Sequence, residues 1–235
     1  MLDLLGKAIL DFQTNNLPQN IYTQTSISDE DEMEVAYLFR SFNEMPKLEQ
    51  KAMQLCKGKV LDVGCGAGSH SLYLQNEMAL QVTSIDISEN AIKTCKLRGL
   101  KNAKVQNILE LENETFDTIL LLMNGTGIFG TLKETPKFLK KLKSLLNPNG
   151  QILIDSSDLI YMFDEDDDGG KWITDNHYYG ELTFTLKYKN QIEDKFNWLY
   201  LDFNTLQNAC THNELNCKLI CKGDNFDYLV KIWGS

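Results

Sequence analysis

Residues 60–71 read VLDVGCGAGSHS, and this stretch decides the fold of the chain. Apolar residues surround Asp62, and Gly64, Gly66 and Gly68 follow at alternate positions. Glycines at a strand end let the backbone turn sharply and let a ligand approach the main chain closely. A helix that begins there also presents free N–H groups. We therefore expect a ligand-binding site at the glycine turn.

Short apolar runs alternate with helical patterns from residue 59 to about residue 155. Ser88 is suited to cap one helix, which ends before Gly99, and Thr135-Pro136 is suited to open another. The apolar runs are rich in Val, Ile and Leu, as parallel strands covered on both faces should be. This alternation predicts an α/β fold with a doubly wound, mostly parallel sheet. The strand candidates are 59–64, 81–86, 103–108, 116–122 and 151–157.

The segments around this core have different patterns. Helices are expected at 2–14 and 29–55, with Ser28 as the start signal of the second. FDEDDDGG (163–170) predicts an exposed loop. LTFTLKYK (182–189) alternates strictly between apolar and polar residues, and KFNWLYLD follows after a short polar turn. This predicts an antiparallel hairpin with one covered face, added to the sheet or standing beside it.

A helical pattern at 203–213 and two strand patterns, KLICKG and DYLVKIW, close the chain. The whole is expected to be one domain with four parts. These are an N-terminal helical cap at 1–56, a cofactor-binding core at 57–157, an inserted loop and hairpin at 158–202, and a closing helix and strands at 203–235.

The acidic composition limits the classes of function. The 235 residues carry 33 acidic and 23 basic side chains, a net charge of −10. A protein that grips nucleic acid by its phosphates normally carries a basic face, so this balance argues against nucleic-acid binding. No run reaches the ~18 apolar residues that a membrane span needs, and the first residues do not read as a secretory signal. We expect a cytoplasmic protein without a membrane partner.

Six cysteines without a secretory context are expected to be reduced thiols. Cys210, His212, Cys217 and Cys221 lie close together in sequence, but their spacing matches no zinc ribbon or finger. Thiols buried on neighbouring strands are the simpler interpretation. No metal site is predicted.

The glycine spacing separates two classes of cofactor. Dinucleotide-binding turns follow G-x-G-x-x-G, whereas this chain has G-x-G-x-G, and Ser69 stands where the third glycine would be. Asp62 would also meet a pyrophosphate as a like charge. Both features disfavour NAD. A phosphate-free cofactor with an adenosine and a cationic amino-acid tail fits better, because Asp62 can face its ammonium group directly or through water.

Residues after the second and third strands suit such an adenosine. Asp86 ends the second strand, where it can accept hydrogen bonds from both ribose hydroxyls. Ile87 and Ile108 can sandwich the adenine, and Asn107 can hydrogen-bond the edge of the base.

VLDVGCGAG, followed by IDIS, FDTILLL and LLNPNGQILID, resembles the class I S-adenosylmethionine-dependent methyltransferases in order and spacing. The resemblance covers residues 35–157 well and the strands at 215–233 loosely. It implies a seven-stranded sheet whose last strand is antiparallel. It also implies S-adenosylmethionine as cofactor and S-adenosylhomocysteine as product.

The resemblance assigns roles by position. The glycine turn with Asp62 would line the methionine side of the cofactor, Asp86 would hold the ribose, and Asn124 would lie near the transferring methyl group. Many relatives have Asp where this chain has Asn107, but an amide oxygen can still pair with the adenine amine. The expected cofactor-binding residues are Asp62, Gly64, Cys65, Gly66, Gly68, His70, Asp86, Ile87, Asn107, Ile108 and Asn124.

Motifs that the sequence lacks narrow the class of possible methyl acceptors. Methylases of amino groups in DNA bases and glutamines carry Asn/Asp-Pro-Pro-Tyr/Phe after the fourth strand, where this chain reads MNGT (123–126). Cytosine carbon methylases use a Pro-Cys nucleophile, and no proline here precedes a cysteine. Together with the acidic charge, these absences favour a small-molecule acceptor. The reaction itself needs positioning in a dry site more than a catalytic group, so the catalytic residues are unknown from sequence.

Tyr22, Tyr37 and Arg40 are candidates to line the acceptor pocket, and His70 is a candidate base. Alternatively, an amphipathic helix packs Tyr37 and leaves Arg40 in water. The 158–202 segment is expected to cover the active site or to form a subunit contact, so a monomer and a homodimer are both compatible. Three other functions stay open: a catalytically silent S-adenosylmethionine-binding protein, a protein or RNA methyltransferase, and a nicotinamide oxidoreductase.

Overall fold

The computed structural model describes residues 2–163 and 177–234. Within these residues the helices are α1 (Leu4–Gln13), α2 (Lys47–Leu55), α3 (Ser69–Asn76), α4 (Glu89–Leu97), α5 (Thr135–Ser144) and α6 (Phe203–His212). The strands are β1 (Ile21–Thr25), β2 (Asp31–Met33), β3 (Lys59–Val63), β4 (Gln81–Asp86), β5 (Ala103–Val105), β6 (Phe116–Leu121), β7 (Leu146–Ser157), β8 (Glu181–Tyr188), β9 (Gln191–Ile192), β10 (Phe196–Leu199), β11 (Leu215–Lys222) and β12 (Asp227–Gly234).

The central sheet has seven strands in the order β11-β12-β7-β6-β3-β4-β5. The strands from β7 to β5 are mutually parallel, and β12 runs antiparallel to both β7 and β11. The predicted doubly wound sheet with an antiparallel last strand is therefore confirmed. The chain order also places β3 and β4 beside each other at their carboxyl ends, where ligands bind in open α/β sheets.

The core lies on both faces of this sheet. Ile152 and Ile154 of β7 pack in a cluster with α5 and α6, whereas Leu153 between them packs with α2 and α3 on the other face. All three side chains are fully buried. Burying each contributes about 1.5–3 kcal/mol. Coverage on both faces explains why these strands read as continuous apolar runs.

A second, antiparallel sheet stands beside the first, in the order β10-β8-β1-β2 with β9 paired to β8. The predicted hairpin thus joins a strand from the N-terminal segment, with Ile21 opposite Tyr188. α1 covers its apolar face through Leu4 and Ala8. The helix predicted over 2–14 is therefore present, and it packs on the predicted strand β8 and on β1, which the sequence did not indicate.

The prediction of a single helix over 29–55 is wrong. This segment begins with β2, continues through 3₁₀ turns at Val35–Phe39 and Phe42–Glu44, and becomes α-helical only at Lys47. Pro46 explains the late start, because a residue that precedes proline is disfavoured in the helical region; Met45 is accordingly extended. Ser28 caps no helix, and its hydroxyl instead pairs with that of Thr25 at 2.7 Å.

The second sheet and α1 lie over the carboxyl edge of the central sheet. A Cβ added to Gly127, in the turn after β6, would stand 1.9 Å from Trp198 of β10. The Ser88 hydroxyl, after β4, donates to Asp3 at the start of α1 at 2.6 Å. The acidic loop predicted at 163–170 lies outside the described residues from position 164 onward. In the part of the chain that is described, no helix has the length and apolarity needed to cross a membrane.

Candidate active site

The three glycines of the turn between β3 and α3 all have positive φ, at +70°, +51° and +82° for Gly64, Gly66 and Gly68. A Cβ added to Gly64 or Gly66 would meet no atom within 4 Å. At Gly68 it would lie 2.8 Å from Leu100 and 2.9 Å from Cys95. The third glycine therefore lets the turn pack against its neighbours. The first two face open space at the carboxyl edge of the sheet, called the cleft below, through which a ligand can approach the backbone.

The N–H groups of the turn are largely used within the chain. Those of Gly64 and Cys65 both donate to the Ile85 carbonyl, at 2.9 and 3.1 Å, and that of Gly66 donates to Asp86 Oδ2 at 3.0 Å. A phosphate-binding turn needs such groups free to point at its anion. This arrangement suits a cofactor without phosphate, as the glycine spacing predicts.

Asp86 joins the glycine turn to the start of α4. Its Oδ1 accepts the Ser88 N–H at 2.9 Å while Oδ2 holds Gly66, and Ser88 in turn caps α4 through Ala91. Burial raises the pKa of Asp86 against the effect of these backbone donors. The carboxylate is thus held at the end of β4 beside the cleft, and each oxygen keeps a lone pair for a hydroxyl donor.

The predicted adenine residues separate into exposed and buried ones. Ile87 is 76% exposed, so its side chain is free to pack against a bound aromatic ring. Asn107 is exposed and caps a 3₁₀ turn through the Leu109 N–H at 2.9 Å. Ile108 instead packs in the main core. Ile87 and Asn107 therefore offer surface to a base, and the role of Ile108 as the second face of a sandwich stays a prediction.

Asp62 lies beneath the glycine turn and is fully enclosed. It accepts the Ser71 hydroxyl at 2.5 Å, and Ser71 pairs with the Ser84 hydroxyl at 2.7 Å. Burial raises the pKa of Asp62, opposed by the charge of His70 and by hydrogen bonds from Ser71. These contacts give Asp62 a capping role at α3. Its predicted contact with an ammonium group stays a prediction.

A buried charge cluster occupies the space between α2 and α3. Arg40 donates to both oxygens of Glu49, at 2.6 and 2.5 Å, and to the Tyr37 carbonyl at 2.7 Å. His70 Nε2 lies 2.6 Å from Glu49 Oε2. Burial alone would raise the pKa of Glu49, but the hydrogen bonds and charges of His70 and Arg40 outweigh it and lower that pKa. Sequence reasoning missed Glu49, which nothing local distinguishes from a solvated helical acid.

The charge cluster contradicts the alternative in which an amphipathic helix packs Tyr37 and leaves Arg40 in water. Arg40 is buried, while Tyr37 is 42% exposed with the guanidinium 4.1 Å from its ring centroid. Arg40 Nε has no hydrogen-bond partner among the described residues. Tyr22 lies on β1 of the second sheet and is 41% exposed. Lining of the acceptor pocket by these three residues stays a prediction.

Asp155, near the carboxyl end of β7, is a second buried acid that sequence reasoning missed. It accepts the Gly125 N–H at 2.8 Å. Burial raises its pKa to about 6, against backbone hydrogen bonds from Gly125 and Asn124, with further influence from the nearby charges of Glu49 and His70. The available signal was an acid at the end of an otherwise apolar strand that reaches the ligand-binding edge.

The turn after β6 is held in a strained conformation. Met123 and Asn124 both have positive φ, at +66° and +61°, which few non-glycine residues adopt. Asn124 receives the Ser156 hydroxyl at 3.2 Å and donates to the Leu199 carbonyl at 3.3 Å. Its side chain thereby ties β6 to β7 and to the second sheet at the edge of the cleft.

The cysteines are all free thiols. Cys65, in the glycine turn, is buried with its sulfur 3.7 Å from that of Cys95. Across the described ranges, no group of three or more His, Cys, Asp or Glu side chains is arranged to hold a metal ion.

Comparison with known proteins identifies relatives across most of the chain. A family model described as a methyltransferase domain matches residues 56–225. The crystal structure of an S-adenosylmethionine-dependent methyltransferase from Bacteroides fragilis, in complex with S-adenosyl-L-homocysteine, matches with a TM-score of 0.91 and 43% identity, covering 99% of this chain and 95% of that chain.

Curated relatives match over a shorter segment. A ubiquinone biosynthesis O-methyltransferase from Xanthomonas euvesicatoria is 27% identical over 110 residues, 43% of this chain and 44% of that protein. A ribosomal protein L11 methyltransferase from Acetivibrio thermocellus is 32% identical over 90 residues, 35% of this chain and 28% of that protein. The chain thus spans less than half the length of these curated relatives.

Proposed function

The chain belongs to the class I S-adenosylmethionine-dependent methyltransferases, and we propose that it transfers a methyl group to a small-molecule acceptor. The observation that carries this proposal is the open cleft against Gly64 and Gly66, at the turn where the cofactor is expected. Asp86 and Ile87 flank the same cleft with a carboxylate and an exposed apolar side chain. These are the groups that a ribose and an adenine require.

When bound, S-adenosylmethionine supplies an electrophilic methyl group: the acceptor's lone pair bonds to the methyl carbon, and the electron pair of the broken carbon–sulfur bond remains on sulfur. The chain's own residues position the reactants and exclude water. Asp86 holds the ribose, and the glycine turn lines the methionine side of the cofactor. Asn124 and the second sheet, through Trp198, border the other side of the cleft.

Two features support a small acceptor over a macromolecule. The net charge of −10 disfavours binding to RNA phosphates. The second sheet also lies over the carboxyl edge of the central sheet, with Trp198 against Gly127. The relative named as a ribosomal protein L11 methyltransferase keeps a protein acceptor as the second candidate.

Binding and turnover together test the proposal. Calorimetry should detect S-adenosylmethionine and S-adenosylhomocysteine but not NAD, and the oxidoreductase alternative predicts the reverse. Release of S-adenosylhomocysteine should then depend on an added small molecule. A protein that binds the cofactor but gives no acceptor-dependent release with metabolite extracts, proteins or RNA would be a silent binder, and the proposal would be rejected.

We also propose that the described part of the 158–202 segment covers the active site. Trp198 supports this proposal because it packs on the turn that follows Asn124. Trp198→Ala should then impair turnover more than cofactor affinity, with the mass in solution unchanged. A change in mass would instead favour the subunit contact.

A further inference from the structure

We propose that Asp155 binds the methyl acceptor and takes a proton from it, and that the acceptor is an amine that arrives as an ammonium ion. This inference rests on the proposed methyl transfer, since it concerns the acceptor side of the same site.

The position of Asp155 supports a contact with the acceptor. Its carboxylate is 2.8 Å from the Gly125 nitrogen, directly after Asn124, the residue expected near the transferring methyl group. Tyr200, at the end of β10, has its pKa raised to about 12 by burial and by the charges of Tyr161 and Asp155. The segment after β10 reaches the same end of β7, because the Leu201 N–H donates to the hydroxyl of Ser156, the neighbour of Asp155, at 2.8 Å.

Among the described residues, Asp155 resembles Asp62 and Asp86 in having no salt-bridge partner, but unlike those two acids it has no expected contact with the cofactor. Glu49 forms a salt bridge with the Arg40 guanidinium at 2.5 Å and lies 2.6 Å from Nε2 of His70. Within the described residues, no Lys, Arg or His forms a salt bridge with Asp155, which has only backbone donors. An unpaired buried carboxylate is unfavourable until it meets a cation or a proton. The site is thus prepared for a positively charged group.

The chemistry of the reaction identifies that group. An ammonium ion pairs with the carboxylate but has no lone pair, so it must lose a proton before it can act as nucleophile. Asp155 can accept this proton because burial already favours its neutral form. The neutral amine then forms the carbon–nitrogen bond, and the methylated ammonium product and the proton on Asp155 both leave to solvent. A neutral alcohol would leave the carboxylate unpaired, and a carboxylate acceptor would be repelled.

The alternative is that Asp155 pairs with a positive charge of the cofactor itself. Asp155→Asn distinguishes the two assignments. It should weaken binding of the amine if Asp155 contacts the acceptor, and binding of S-adenosylmethionine if Asp155 contacts the cofactor. Asparagine keeps the oxygen that accepts the Gly125 N–H but loses the charge and the basic site. Asp117→Asn is the matched control, since Asp117 also accepts a backbone N–H, that of Lys59 at 2.7 Å, but at the opposite edge of the sheet.

The test uses three probes of similar shape: 2-phenylethylamine, 2-phenylethanol and phenylacetate. Their binding to the S-adenosylhomocysteine-saturated protein is measured by calorimetry, and their methylation is measured by release of S-adenosylhomocysteine. We expect the amine to bind best. Asp155→Asn should weaken amine binding by roughly tenfold to hundredfold without changing the affinity for S-adenosylhomocysteine. Wild-type turnover should rise as pH increases through about 6, because Asp155 must be ionised to accept the proton, and Asp155→Asn should lack this rise. Among the described residues, the other charged or ionisable groups around Asp155 are Glu49, His70 and Tyr200.

Three results would overturn the inference while the proposed function stands. The first is preferential binding or methylation of the alcohol or the carboxylate. The second is an amine affinity that Asp155→Asn leaves unchanged while S-adenosylmethionine binds less tightly. The third is the absence of amine binding in a protein that binds S-adenosylhomocysteine. Failure of the wild-type protein to bind either cofactor form would overturn the proposed function as well.

Discussion

Asp155→Asn is expected to make the cofactor-free protein more stable at neutral pH. Burial raises the pKa of Asp155 from its usual 3.8 to about 6. Each pKa unit corresponds to 1.36 kcal/mol, so ionisation of this carboxyl in the folded state opposes folding by about 3 kcal/mol. Asparagine resembles the neutral acid in shape and cannot ionise. The substitution should therefore recover most of that free energy.

The pH dependence has a definite sign. Because the folded state holds a proton that the unfolded state releases between pH 3.8 and about 6, the wild-type protein loses stability relative to the variant as pH rises through this window. Urea unfolding of both proteins at pH 4, 5, 6 and 7.5 measures the difference. It should be near zero at pH 4 and reach about 3 kcal/mol above pH 6, which is roughly 6–12 °C in Tm for a domain of this size.

Asp117→Asn provides a control for which the change of stability with pH has the opposite sign. Hydrogen bonds from the Lys59 N–H and from Asn147 lower the pKa of Asp117. Its contribution to stability is therefore present at neutral pH and is lost as pH falls through the folded-state pKa. Equal stability of wild type and Asp155→Asn at pH 7.5, or a difference that is constant with pH, would refute the assignment of Asp155 as an uncompensated buried carboxylate.

Three further substitutions test the site and its support. Asp86→Ala removes the acceptor that holds Gly66 and the expected ribose ligand, and calorimetry should show cofactor binding weaker by about 2–3 kcal/mol; unchanged affinity would remove Asp86 from the site. Gly66→Val should abolish cofactor binding because the valine side chain enters the cleft. Gly99→Val is the control: Gly99 also has positive φ and open space around it, so this variant should bind the cofactor normally despite similar backbone strain. Equal cofactor affinities of the two variants would show that the glycine turn has only a structural role. Arg40→Met leaves Glu49 without its guanidinium partner and should destabilise the protein by about 3–5 kcal/mol in urea unfolding. A loss below about 1 kcal/mol would show that the stability of the buried Glu49 does not depend on this salt bridge.

The central sheet was predictable because its signals are local. Ile152, Leu153 and Ile154 read as a buried strand whatever lies around them. Ser88 caps α4 through the Ala91 N–H, and the predicted stop at Gly99 lies two residues past Leu97, the last residue of the helix. In these elements the spacing of apolar residues and the capping residues carry the information directly.

The elements that were missed depend on contacts between distant residues. The sequence of β1, IYTQT, is short and only partly apolar, and it forms a strand because β8 offers an edge to it. Glu49 resembles a surface acid of α2 until the fold brings Arg40 and His70 to it. Asp155 needs the β6–β7 pairing and the turn at Gly125 before it is buried. These contacts join residues that are far apart in sequence, so local residue spacing does not predict them.

The pairing of β1 with β8 has a consequence for how the chain acquires its structure. Ile21 leaves the ribosome early, but its partner Tyr188 is synthesised about 165 residues later. Closing so long a loop is entropically unfavourable and slow, whereas β3 and β4 pair across one short helix. The N-terminal strand must therefore wait, unpaired, while the cofactor-binding core assembles. Pulse-labelled hydrogen exchange should show β1 amides protected after those of β3, and simultaneous protection would contradict this order. On this predicted order, the last part of the fold to form is the sheet that we propose covers the active site.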